Sequence, residues 1–117
     1  MIMLKSYQYG LKGEELVCEY LKPKGYKILS IRFKTAYGEI DIIACHEDII
    51  IFTEVKARTK LKHYEVLSNK QIKRISQAAN YYLAENGIND KNVRFDFILL
   101  EGNKVVSHIE NAWEYTE

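Results

Sequence analysis

The chain has 117 residues, 47% of them hydrophobic and 28% charged, with 17 Lys plus Arg against 16 Asp plus Glu. That length suits one domain with one sizeable core, and the composition excludes a disordered or collagen-like chain. A net charge of +1 argues for no partner by itself, and no apolar run approaches the length that spans a bilayer.

The opening "MIMLKSYQYG" has no continuous apolar core of the kind a secretory leader carries. Cys18 and Cys45 lack metal-type spacing. The expectation is a reduced, cytoplasmic protein with two free thiols and no membrane association.

Gly13 to Lys22 reads as a helix, with Leu16, Val17, Tyr20 and Leu21 on its apolar face and Lys12, Glu15, Glu19 and Lys22 on its polar one. Pro23 and Gly25 end it. Tyr26–Lys34 is strand-like, and "TAYG" offers a turn. Glu39–Cys45 and Ile49–Ala57 read as two further strands around "HED". Ser68 is placed to cap a helix that runs to about Glu85, with Ile72, Ile75, Ala79, Tyr82 and Leu83 as its buried stripe. "ENGIND" breaks that helix, Val93–Leu100 is an apolar strand, and Lys104–Ile109 reads as an edge strand. Helices on both sides of the strand run predict a sheet covered on two faces, a three-layer α/β domain. The helical connection before Val93 suits a parallel crossover.

The charges inside the apolar text "GEIDIIACHEDIIIFTEVK" need a reason, because charge removed from water is costly unless it is paired or holds a cation. Alternation puts Glu39 with Asp41 and Glu54 with Lys56. A turn centred between Glu47 and Asp48 sets His46 opposite Ile49 and Asp41 opposite Glu54. Their Cβ atoms would then lie about 4.5–5.5 Å apart. Two carboxylates that close repel unless a cation joins them, and oxygen-only ligation suits Mg²⁺ or Mn²⁺. Lys56 would stand beside them, able to orient an attacking water or stabilise charge on a phosphate. The rival reading is a half-exposed strand whose Glu54–Lys56 pair is an ordinary surface contact.

Glu14 falls at the margin of the first helix's apolar arc. It either caps the helix start, which the macrodipole favours, or reaches toward the sheet. From Lys56 to Arg74 there are seven basic residues against one acid, Glu65. Within that stretch Arg58 and Lys60 are candidate phosphate contacts. Arg94 and Asp96 share a side of their strand and read as a structural pair. His46 and His63 read as loop residues, and His108 as part of the last strand.

Asp41 followed by Glu54-Val55-Lys56 resembles the Asp…Glu-x-Lys core of the PD-(D/E)xK nuclease superfamily. The blocks "GEELVCEYLKPKGYKIL", "YGEIDIIA", "IIFTEVKAR", "NKQIKRISQAANYYL", "VRFDFILL" and "HIENAW" resemble, in order, the YraN-type endonuclease-like proteins, related in fold to archaeal Holliday junction resolvases. The resemblance covers nearly the whole chain. It implies one endonuclease-like domain over residues 1–117, with a restriction-endonuclease-like αβββαβ core and a mixed central sheet.

It also implies a metal held by Asp41, Glu54 and the Val55 carbonyl, with Lys56 as catalytic lysine. It places Glu14 where the resolvases carry a metal-site glutamate, which reverses the capping preference. Glu39, in the family's "GEID" block, is either an acid behind the metal's ligands or itself a metal partner, ranked below Asp41. Lys70 and Gln71 match a basic, amide-bearing block, so Gln71 either points toward the metal or closes a capping box with Ser68; Lys70 and Arg74 join the nucleic-acid-binding candidates. The superfamily's proline is replaced by Ile40. The implied activity is phosphodiester hydrolysis of DNA, branched or single-stranded, by a homodimer like the resolvases. The alternative is a nucleic-acid-binding or adaptor protein that keeps the fold without turnover.

Overall fold

A computed structural model describes residues 2–57 and 67–114, with side chains from residue 12 onward. The elements are α1 (Ile2–Leu21), a 3₁₀ turn (Lys22–Lys24), β1 (Lys27–Lys34), β2 (Glu39–His46), β3 (Ile49–Ala57), α2 (Asn69–Glu85), β4 (Asn92–Glu101) and β5 (Lys104–Trp113). The sheet order is β1-β2-β3-β4-β5. β3 and β4 pair in parallel, and the other neighbours are antiparallel. This is the expected mixed sheet of an α/β protein, compatible with a restriction-endonuclease-like fold. No described helix is long and apolar enough to cross a membrane.

Each face of the sheet carries one helix. Val17, Cys18 and Leu21 of α1 pack on Ile42, Ala44, Ile51, Ile98 and Leu100. Ile75, Ala78, Ala79 and Tyr82 of α2 pack on Ile40, Ile43, Ile50, Phe52 and Phe95. Ile72 and Leu83, expected in that stripe, are only half-buried, while Ser76 and Ala78 are buried. Ile50–Thr53 and Phe95–Leu100 are buried without interruption, as strands covered on both faces must be.

The β2–β3 hairpin turns on Glu47 (φ 49°) and Asp48 (φ 67°), both in the left-handed region that a two-residue type I′ turn requires. That turn fixes the register from His46↔Ile49 through Ile42↔Thr53, as the sequence predicted. Lys91 forms an ion pair with Asp48 at the turn. At the start of α2, Ser68 and Gln71 form a reciprocal capping box.

Two boundaries differ from expectation by more than one residue. α1 begins at Ile2, not Gly13. Glycines inside a helix cost about 1 kcal/mol each but do not end it, and Gly13 has a packing reason. A Cβ there would lie 3.2 Å from Leu100 Cδ1, so the missing side chain lets α1 approach the sheet. β5 continues past Ile109 to Trp113, crossing a register shift with Asn111 at φ 53° and re-pairing Trp113 with Phe95.

Candidate metal centre

Because α1 starts early, Glu14 lies well inside the helix and caps nothing. It precedes Val17 by three residues and Leu21 by seven, so all three face the sheet. Glu14 is 6% exposed. It meets β2 where that strand departs from regular alternation. Ile40 belongs to the α2-side core and Ile42 to the α1-side core, although residues two apart in a regular strand share a face. The strand therefore turns over at Asp41.

The turnover brings Glu14, Glu39 and Asp41 together, with one carboxylate oxygen from each lying within 4.8 Å of the others. Two oxygens on one Mg²⁺ ion at about 2.1 Å are about 3 Å apart when adjacent and about 4 Å apart when opposite. Closing this trio onto such an ion would need side-chain rotation, and its all-oxygen donor set matches a hard cation. The trio lines a cleft of about 210 Å³ whose other walls include Gly13, Arg32, Val55 and Leu100.

Glu54 stands next to Asp41, outside that lining. Its neighbour Val55 packs toward α1, so Glu54 and Lys56 leave the strand on the α2 side. Asp41 joins the two: its Oδ2 accepts from the Val55 N–H at 2.8 Å, and its charge acts on the Glu54 carboxyl. Burial, then the charge of Asp41, pushes the Glu54 carboxyl up to about 8. Lys56 Nζ lies 3.7 Å from Glu54 Oε2 and opposes that rise. Burial likewise raises the Glu14 carboxyl, against the hydrogen bond from Arg32. The four acids thus form one chain, Glu14–Glu39–Asp41–Glu54, ending at Lys56. The acids and the lysine are gathered, but not in one flat pocket.

Arg32 was not singled out in the sequence. It sits opposite Asp41, between the paired residues Ile31↔Ile42 and Phe33↔Ile40. Its Nε lies 2.5 Å from Glu14 Oε1, and its backbone is left-handed at φ 54°. The available signal was a charged residue inside the apolar run "SIRF". Glu39, ranked below Asp41, is an equal member of the trio.

The remaining candidates separate clearly. Of the two expectations for Gln71, the structure takes the helix cap: its Oε1 accepts from the Ser68 N–H at 3.0 Å. Lys70 and Arg74 are exposed on α2. Arg74 borders the turn before Glu39, where a Cβ on Gly38 would lie 3.3 Å from Arg74 Cβ. Arg58, Lys60 and His63 lie outside the described residues.

A second polar cluster occupies the opposite end of the α1 face. Arg94 grips the fully buried Asp96 with two hydrogen bonds of 2.8 and 2.9 Å. Asp96 also takes His108 Nε2 at 2.8 Å and the Asn111 N–H at 3.1 Å. Burial alone would raise the Asp96 carboxyl, but His108, Arg94 and Asn111 hold it below its ordinary value. Tyr26 accepts from Arg94 and stacks on His46, with ring centroids 4.2 Å apart. Tyr20 bonds to His108 Nδ1. Every charge here has a partner, so this cluster is structural.

Residues 13–100 match a family model described as "Uncharacterised protein family UPF0102". A UPF0102 protein of Clostridioides difficile is 45% identical over 116 residues, covering 94% of this chain and 100% of that protein. One of Fervidobacterium nodosum is 44% identical, covering 89% and 81% respectively. One of Persephonella marina is 36% identical, covering 93% and 96%. None of these names carries an activity, a metal or a substrate.

Proposed function

The chain belongs to the uncharacterised protein family UPF0102, and we propose that it is a divalent-metal-dependent phosphodiesterase of the PD-(D/E)xK type, acting on branched or single-stranded DNA. The observation that carries this reading is the convergence of the Glu14, Glu39 and Asp41 oxygens beside Glu54 and Lys56. Glu14, Glu39 and Asp41 would hold Mg²⁺ or Mn²⁺, with Glu54 joining through Asp41. Bound there, the ion would supply Lewis-acid polarisation of a phosphoryl oxygen. Asp41, anchored on the Val55 N–H, keeps its carboxylate oriented without a substrate. Lys56, paired with Glu54 and 29% exposed at its side chain, would offer an ammonium to negative charge building on the phosphate. Lys70 and Arg74 supply backbone contacts along α2.

One observation favours a second reading, a nucleic-acid-binding protein without turnover: Arg32 already provides Glu14 with an internal cation. Cleavage of linear, flapped and four-way DNA in Mn²⁺ separates the two. The phosphodiesterase reading predicts nicking of at least one substrate, lost in Lys56→Ala with the fold intact. Salt-sensitive, metal-independent binding with no cleavage would support the second reading. Full activity in Lys56→Ala would remove the lysine from the chemistry.

A further inference from the structure

We propose that Arg32 is an exchangeable internal counter-ion, which holds Glu14 in the ion-free protein and gives that carboxylate up when a divalent cation enters. The inference rests on the metal-site reading above. It makes the cleft an ion-gated site that opens only once the cation concentration is high enough to displace the guanidinium.

Two Arg–carboxylate pairs on the α1 face show the contrast. Asp96 has a full shell of Arg94, His108 and the Asn111 N–H and is 0% exposed, while the other acid near Arg94, Glu110, stands at the rim with a side chain 60% exposed. That pair is built to stay. Glu14 instead shares its position with Asp41 and Glu39, both of which act on it as neighbouring negative charges. A single guanidinium carries one positive charge into that trio. A divalent cation carries two and can touch all three acids at once, so Coulomb attraction favours the exchange.

The backbone gives the second observation. Arg32 is held at φ 54°, a conformation that an arginine adopts only at a cost. Such outliers persist where the surroundings over-determine them, and they gather at ligand clamps and switches. Here the outlier lies opposite Asp41, where β2 turns over, and its side chain lines the same cleft as the three acids. That side chain is 23% exposed, so the guanidinium has solvent to move into.

The test is Mn²⁺ titration by calorimetry on the wild type, Arg32→Asn and Arg32→Lys, with thermal unfolding of each with and without Mn²⁺. Asparagine tolerates the left-handed backbone, so Arg32→Asn removes the charge without straining the strand. The inference predicts Mn²⁺ binding about tenfold tighter in Arg32→Asn, equivalent to about 1.4 kcal/mol, and a larger Mn²⁺-induced rise in Tm. Arg32→Lys should stay within about threefold of wild type, because an ammonium still competes. Binding seen only in Arg32→Asn, with none in wild type at saturating Mn²⁺, would make Arg32 a permanent counter-ion and overturn the exchange. Equal or weaker binding in Arg32→Asn, with wild-type binding intact, overturns the counter-ion and leaves the phosphodiesterase reading standing. Absence of Mn²⁺ binding in all three proteins overturns both.

Discussion

Mn²⁺ should enter the site with release of a proton, and the ion-free protein should lose stability as pH rises toward 8. The cause is Glu54, whose carboxyl is pushed by burial and by Asp41 from the ordinary 4.5 up to about 8. Between those values the folded state binds a proton that the unfolded state has already lost. The stability contribution is therefore complete below pH 4.5 and declines as pH rises through about 8. One proton sets the slope at no more than about 1.4 kcal/mol per pH unit. The raised Glu14 carboxyl adds to the same trend. At pH 7 a group titrating near 8 is about nine-tenths protonated. A cation held by Asp41 lies beside Glu54 and favours loss of that proton, so apparent affinity should rise with pH, by at most about tenfold per unit, between about 6 and 7.5. Calorimetry at pH 6.5 in two buffers of different ionisation enthalpy counts the protons released. We expect about one in wild type and a smaller count in Glu54→Gln. Mn²⁺ binding without proton release, or stability that climbs from pH 5 to 8 without metal, would refute this electrostatic account.

Three further outcomes follow from packing. Asp96→Ala leaves Arg94 without its buried partner and should cost about 3–5 kcal/mol in urea denaturation, with Mn²⁺ affinity unchanged where the protein remains folded. Ser68→Ala removes half of the capping box and should cost about 1 kcal/mol by the same assay. Gly13→Val drives branched carbons against the buried Leu100, should cost about 1–3 kcal/mol, and should weaken Mn²⁺ binding because the neighbouring Glu14 moves with the helix.

Much of the fold was legible because local signals agreed with one another. The two-residue turn at Glu47-Asp48 fixed the hairpin, and continuous apolar runs marked the strands covered on both faces. Ser68 and Gln71 sat at capping-box spacing, and the structure spends Gln71 there rather than at the metal. What composition hid was backbone detail. Gly13 reads as a helix start, yet here it marks a close approach to Leu100. The turnover of β2 at Asp41 leaves no mark, because it is tied to a left-handed residue that is not glycine. Without it, Asp41 and Glu54 seem to share a face, and Glu39 seems secondary. The pairing of Arg32 with Glu14 and of His108 with Asp96 spans 18 and 12 residues respectively, and periodicity carries no information about such partners.

The most direct measurement is anomalous diffraction from crystals soaked in Mn²⁺. The account predicts one peak in the cleft at about 2–2.5 Å from oxygens of Asp41 and at least one of Glu14 and Glu39, with Arg32 withdrawn from Glu14. A cleft without a peak at saturating Mn²⁺, with Arg32 still on Glu14, would contradict it.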